Sequence, residues 1–269
     1  MMQRLPIILF TNDSLQSKIL AGALSKKFSL AAVIVQKRKP SQSSKLAVRV
    51  LQNILGKEML ERILIYAKPQ KQRETLLLEK KLVRKAEIFL SIRLLSYQTT
   101  EWPNVPTIFT ENVNDKETEE KIKLLKPALM IVWGTGIIKP NIIALPSLGI
   151  INAHPSILPK YKGSFPEFWQ CYKGDAAHTG TTFHFIDEKV DTGPLIKQTP
   201  YKDKWPIDPY TLKSINVLSI LEQYPDVIEQ VLSGSYEKTV QQKSHEKAFR
   251  FKDIIWEKKR AIFEKLDLM

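Results

Sequence analysis

The chain has 269 residues, with 41 Lys and Arg against 28 Asp and Glu for a formal net charge of +13, one cysteine, and 43% hydrophobic and 26% charged residues. This composition suits a globular protein of one large α/β domain or two small ones and excludes a disordered tail or a fibre. Cys171, being alone, excludes an internal disulfide and a clustered thiolate metal site, and no apolar run reaches membrane-spanning length, so a reducing, cytoplasmic setting is the expectation.

Residues 6–11 are apolar and read as a buried first strand; the run is too short for a signal peptide and Asn12-Asp13 interrupts it. Leu15, Ile19, Leu20, Ala23 and Leu24 follow at helical spacing. Residues 30–35 are continuous and rich in β-branched side chains, as in a strand covered on both faces. Strand, helix and strand in that order predict a mostly parallel, Rossmann-like sheet flanked by helices. A Gly-x-Gly-x-x-Gly dinucleotide fingerprint is absent from the first turn.

From residue 37 to residue 93 the character changes, with fifteen basic and five acidic residues giving a local net charge of +10. Leu46, Val50, Leu51, Ile54 and Leu55, then Leu76, Leu77 and Leu82, are spaced as two or three amphipathic basic helices. They form either a solvated insertion or a surface for phosphates or acidic headgroups, and the second reading requires the charges to converge. Beyond it, strands are expected at 106–109, 128–133, 149–154 and 180–186, the last with one wetter face. Helices are expected at 115–125, 209–232 and 252–266, with a hairpin around Ser233-Gly234-Ser235. The expected division is a catalytic domain over 1–200, carrying the insertion at about 37–95, and a C-terminal helical extension over 201–269.

Of the four histidines, His154, His178, His184 and His245, the first ends a predicted strand in Asn152-Ala153-His154, where alternation puts the amide and the imidazole on one side. The plain alternative is a core histidine satisfied by a carbonyl. Asp191-Thr192-Gly193 matches the aspartic protease signature, but that chemistry needs two such carboxylates and this chain has one copy. A single carboxylate beside an imidazole instead fixes its tautomer and stabilises its protonated form; structurally, Asp191 could simply open a turn closed by Gly193.

The block Asn152-Ala153-His154-Pro155-Ser156-Ile157-Leu158-Pro159-Lys160-Tyr161-Lys162-Gly163, then Gly174-Asp175, Thr179-Gly180-Thr181-Thr182 and Asp191-Thr192-Gly193-Pro194-Leu195-Ile196, resembles the folate-dependent formyltransferase family, most densely over 128–198. The resemblance implies transfer of a formyl group from 10-formyltetrahydrofolate to an amine, with no metal required. Asn152 would donate to the formyl oxygen as it gains charge, His154 would supply a second donor and help move the proton, and Asp191 would orient or polarise His154. It also implies a folate site along Trp133, Gly134, Thr135, Gly136 and Ile138 and along the loop of Ile186, Asp187, Glu188 and Val190, recognised largely through backbone groups. Phe165-Pro166-Glu167-Phe168-Trp169 would flank the acceptor.

About seventy residues follow Gln198, so the complete C-terminal barrel of methionyl-tRNA formyltransferases is not expected, although the basic insertion sits where those enzymes carry a basic loop. Phe10-Thr11-Asn12-Asp13-Ser14 does not reproduce the Gly-rich phosphate loop of glycinamide ribonucleotide transformylases. By elimination the expected acceptor is an anionic amino sugar, as a nucleotide sugar or glycan precursor. The alternatives are a methionyl-tRNA formyltransferase-like enzyme, a hydrolase of the folate donor, and a silent relative binding RNA or an acidic membrane through the basic helices. The presence of Asn152, His154 and Asp191 together argues against silence.

Overall fold

A computed structural model describes residues 5–37, 54–202, 205–242 and 246–269. The chain opens with β1 (Pro6–Asn12), α1 (Leu15–Lys27) and β2 (Ser29–Gln36). Ser14 caps α1 by accepting the Ser17 N–H at 3.3 Å, and Lys26 and Lys27 close its last turn, where the helix dipole favours cations. The helical reading at Leu46, Val50 and Leu51 lies outside the described residues, as do the charges of Arg38, Lys39, Lys45 and Arg49 and the side chain of His245.

Among the described residues there follow α2 (Lys57–Tyr66) and α3 (Gln70–Leu94), then β3 (Thr107–Thr110), α4 (Lys116–Leu125) and β4 (Leu129–Trp133). Asp115 caps α4, and its hydrogen bond from the Thr118 N–H holds its carboxyl below the usual range. The remainder comprises α5 (Pro140–Ile143), β5 (Ile150–His154), α6 (Pro166–Lys173), β6 (Gly180–Phe185), β7 (Leu195–Pro200), α7 (Pro209–Ser233) and α8 (Trp256–Lys265).

The seven strands form one sheet in the order β3-β2-β1-β4-β5-β6-β7. The first five run parallel, and β6 lies antiparallel to both its neighbours. The order departs from β1 in both directions, so the carboxyl ends of β1 and β4 mark the switch point where open α/β sheets place ligands.

Strand alternation divides the core. Ile7 and Leu9 of β1 join Val33, Ile131, Phe183 and the α1 and α7 side chains, whereas Ile8 and Phe10 join Ile34, Met130, Ile122 and Ile142 on the other side. A third cluster gathers Leu82 of α3, Phe168 and Trp169 of α6, Leu212 of α7 and Ile262 and Phe263 of α8. The basic insertion is therefore keyed into the fold: Leu82, Ala86 and Leu94 are buried, and Ser214 Oγ of α7 donates to the Ala86 carbonyl at 3.2 Å.

Three expectations are corrected. No face of β6 is wet: all six residues are buried, β5 and β7 flank it, and the 155–163 segment engages Thr182, whose Oγ1 accepts the Leu158 N–H. Ser233-Gly234-Ser235 caps α7, with Gly234 in the left-handed region at φ 72°, and the chain then returns along β7 through paired Leu195 and Thr239 instead of turning a hairpin on itself. The strand β7 was not foreseen, since Lys197, Gln198 and Thr199 interrupt its apolar pattern as expected at a half-exposed sheet edge.

Candidate active site

Buried Ile150 and Ile151 anchor β5 so that its last residues emerge at the carboxyl edge. Register sets the neighbours: Asn152 lies beside Val132 of β4 and opposite His184 of β6, and His154 lies opposite Thr182. Asn152 is half-buried, and His154 is 4% exposed.

His184 decides what Asn152 can do. Its Nδ1 donates to the Phe185 carbonyl at 2.8 Å, so the neutral ring presents a lone pair at Nε2, 3.2 Å from Asn152 Nδ2. Burial pushes the His184 pKa below its ordinary value, against the opposing pull of Asp191. The neutral imidazole thus accepts one Asn152 N–H, fixes the amide's orientation and leaves the second N–H for a ligand.

His154 Nε2 donates to the Tyr161 carbonyl at 2.9 Å, and its Nδ1 lies 3.4 Å from Asp191 Oδ2. Both ring nitrogens are thereby engaged within the protein. Asn152, not His154, carries the uncommitted donor.

Asp191 adopts φ 52°, a left-handed conformation that Asp tolerates better than most side chains. Its Oδ2 accepts the Gly163 N–H at 2.7 Å, and its Oδ1 lies 3.6 Å from His184 Nε2. Gly193 admits no side chain, because a Cβ would run into the Phe185 carbonyl. The same loop is braced by Asp187, which accepts Thr192 Oγ1 at 2.7 Å and the Lys189 N–H at 3.1 Å. Across the strand, Thr182 Oγ1 donates to the Ser156 carbonyl at 2.6 Å and fixes the segment after His154.

The carboxyl of Glu167, in the first turn of α6, is buried and accepts Asn216 Nδ2 at 3.2 Å. Burial pushes its pKa up, partly opposed by the charges of Lys213 and His154. Glu167 thus belongs to the segment expected beside the acceptor, where its carboxyl is a functional group that the aromatic pattern of 165–169 does not signal. His184 carried no expected role, although its position one strand before the Asp191 loop was the available signal. His178 hydrogen-bonds Asp175 at 2.9 Å and takes no part in this cluster.

At the switch point, a cavity of about 440 Å³ is lined by Asn12, Gln36, Lys37, Glu111, Gly134, Thr135 and Gly136. Asn12 Nδ2 donates to the Gly134 carbonyl at 3.0 Å, and Gln36 Oε1 accepts the Gly136 N–H at 2.9 Å. Trp133 is half-buried, 6.3 Å from the Tyr224 ring. Ile138 is buried in the core, Ile186 packs against the same cluster, and Asp187 holds its own loop, whereas Glu188 and Val190 are exposed. The structure therefore gathers Asn152, His154 and Asp191, sets Trp133 to Gly136 at the end of the adjacent strand, and turns the side chains of Ile138 and Asp187 toward scaffolding.

The formyl transferase family model matches residues 7–211. The methionyl-tRNA formyltransferase of Clostridioides difficile (strain 630) is 41% identical over 97 residues, which are 36% of this chain and 31% of that relative's length. Among solved structures, phosphoribosylglycinamide formyltransferase from Anaplasma phagocytophilum superposes with a TM-score of 0.56 at 17% identity, covering 92% of this chain and 98% of that one. A sugar N-formyltransferase from Shewanella sp. gives 0.51 at 13% identity, covering 91% and 75%. At these identities the structural likeness is one of fold.

Proposed function

Because the chain belongs to the formyl transferase family, we propose that it moves a formyl group from 10-formyltetrahydrofolate to a primary amine at the Asn152, His154 and Asp191 cluster. The observation that carries this reading is the Asn152 amide: His184 fixes its orientation and one N–H remains for a ligand oxygen. A preorganised donor of this kind is what acyl-type transfer needs where negative charge develops on oxygen.

The residues present fit a folate donor. Gly134 and Gly136 are exposed at the end of β4, next to the strand carrying Asn152, and Glu188 and Val190 border the Asp191 loop. When bound, the folate supplies the formyl group. Asn152 then polarises the formyl oxygen. His154 holds Asp191 in place through the Nδ1 contact, and the Asp191 carboxylate is the proton acceptor for the attacking amine, passing that proton to the departing nitrogen of the donor as its bond to the formyl carbon breaks.

For the acceptor we favour an anionic amino sugar, supported by Lys37 at the switch-point cavity. A methionyl-tRNA formyltransferase-like reaction is the second reading, favoured by the 41% identity over 97 residues to such an enzyme. The test incubates the protein with 10-formyltetrahydrofolate and, separately, amino-sugar nucleotides, aminoacyl-tRNA and glycinamide ribonucleotide, and measures tetrahydrofolate release. Amino sugars are expected to accelerate release. Acceleration by aminoacyl-tRNA alone supports the second reading, and equal release with and without every amine contradicts formyl transfer.

A further inference from the structure

The catalytic cluster is held by residues beyond the 7–211 match. Three contacts converge from that later segment. Leu195 and Thr239 exchange backbone hydrogen bonds of 2.7 and 3.1 Å, which brings Gln241 alongside the catalytic loop. There Gln241 Nε2 donates to the Gly193 carbonyl at 2.6 Å and lies 3.3 Å from the Asp191 carbonyl, bracketing the left-handed Asp191. A non-glycine residue in that conformation persists when its surroundings over-determine it.

Phe249 acts from the other side. Its N–H donates to the Lys162 carbonyl at 2.8 Å and its carbonyl accepts the Ser164 N–H at 2.8 Å, clasping Gly163, whose own N–H holds the Asp191 carboxylate. Gly163 lies at φ 93°, and a Cβ there would collide with the Phe249 backbone, so the clasp requires glycine. The Phe249 ring also stacks on Tyr161 at 5.8 Å and on Trp169 at 4.6 Å. The Tyr161 carbonyl is the acceptor of His154 Nε2. One segment therefore restrains the hydrogen-bond partners of both His154 and Asp191.

We propose that Gln241 and Phe249 are positioning residues of the catalytic site: Gln241 fixes the Asp191 turn, and Phe249 fixes the Tyr161 to Gly163 segment that holds His154 and Asp191. The kinetic consequence rests on the formyl-transfer reading; the geometric one does not. Misplacing catalytic groups by fractions of an ångström costs rate more than binding.

The test uses full-length protein labelled with 15N-histidine, the His154 and His184 ring signals being assigned by His154→Ala and His184→Ala. Gln241→Leu keeps the side chain's bulk and removes its donor, and Val231→Ala in the α7 core serves as a control that lowers stability away from the loop. We expect Gln241→Leu to move the His154 Nδ1 resonance while Val231→Ala leaves it in place. With an active acceptor, kcat falls on the order of tenfold and KM stays within about twofold. Phe249→Leu gives a second reading through Tyr161, shifting His154 Nε2, and decides the matter should Gln241→Leu not fold. Unmoved His154 resonances in the folded variants, or equal movement in the Val231→Ala control, overturn the proposal. Should wild type transfer formyl to no amine, the formyl-transfer reading fails while the resonance comparison still decides positioning.

Discussion

A hydrogen bond accepted by His184 determines the donor capacity of Asn152, and that dependence gives stability a defined response to pH. The folded His184 pKa is lowered from 6.5 by burial, so the neutral ring stabilises the fold fully above pH 6.5 and loses that contribution as pH falls through the folded value. Glu167 has the opposite sign: its folded pKa is raised from 4.5, so its contribution is complete below 4.5 and is lost as pH rises through the folded value. Thermal unfolding across pH should show the advantage of wild type over His184→Gln shrinking below pH 6.5, and the advantage of Glu167→Gln over wild type growing toward alkaline pH. Differences independent of pH would contradict these assignments. The order and spacing of Asn152, His154 and Asp191 along the chain marked them as a candidate site, and the fold brings them together around His184. The roles of His184 and Glu167 were not legible, because each depends on a cross-strand or cross-helix partner, Asn152 or Asn216, that spacing along the chain does not reveal.

Among the elements, β1, β2 and β4 were readable because strands buried on both faces leave continuous apolar runs. The strand β6 was misjudged for the same physical reason in reverse: Thr182 and His184 alternate like a wet face, yet the folded-back segment after His154 satisfies Thr182 and Asn152 engages His184. Short α6 escaped notice because its apolar residues are contiguous aromatics without a long helical period. The Asp191 loop depends on Gly193, whose position against the Phe185 carbonyl leaves no room for a methyl group. Gly193→Ala is expected to cost at least about 2 kcal/mol in urea unfolding and to abolish turnover. Unchanged stability would mean that the loop does not pack in this way.

At the scale of the whole molecule, the excess positive charge is concentrated in one stretch of the chain. Ten of the thirteen net charges arise between residues 37 and 93, while the described part of that stretch reaches the fold through Leu82, Ala86 and Leu94, packed beneath α7 and α8. Sequence showed a basic helical insertion; its anchoring was hidden because Leu82 differs from neighbouring exposed Leu77 only in what lies opposite. Leu82→Ala should destabilise the whole chain by about 2–5 kcal/mol in a single cooperative transition. A separate early transition confined to the insertion would show instead that it folds as an independent appendage.

In the proposed reaction, Asn152 and His154 act on a folate-borne formyl group. Its most direct measurement is single-turnover transfer from 10-formyltetrahydrofolate to the active amine by wild type, Asn152→Ala and His154→Ala, with folate binding measured in parallel. Asn152→Ala is expected to lose about 10²–10³ in the transfer rate with folate affinity retained, and His154→Ala to slow transfer as Asp191 loses its partner. Wild-type rates in either folded variant would contradict this reading.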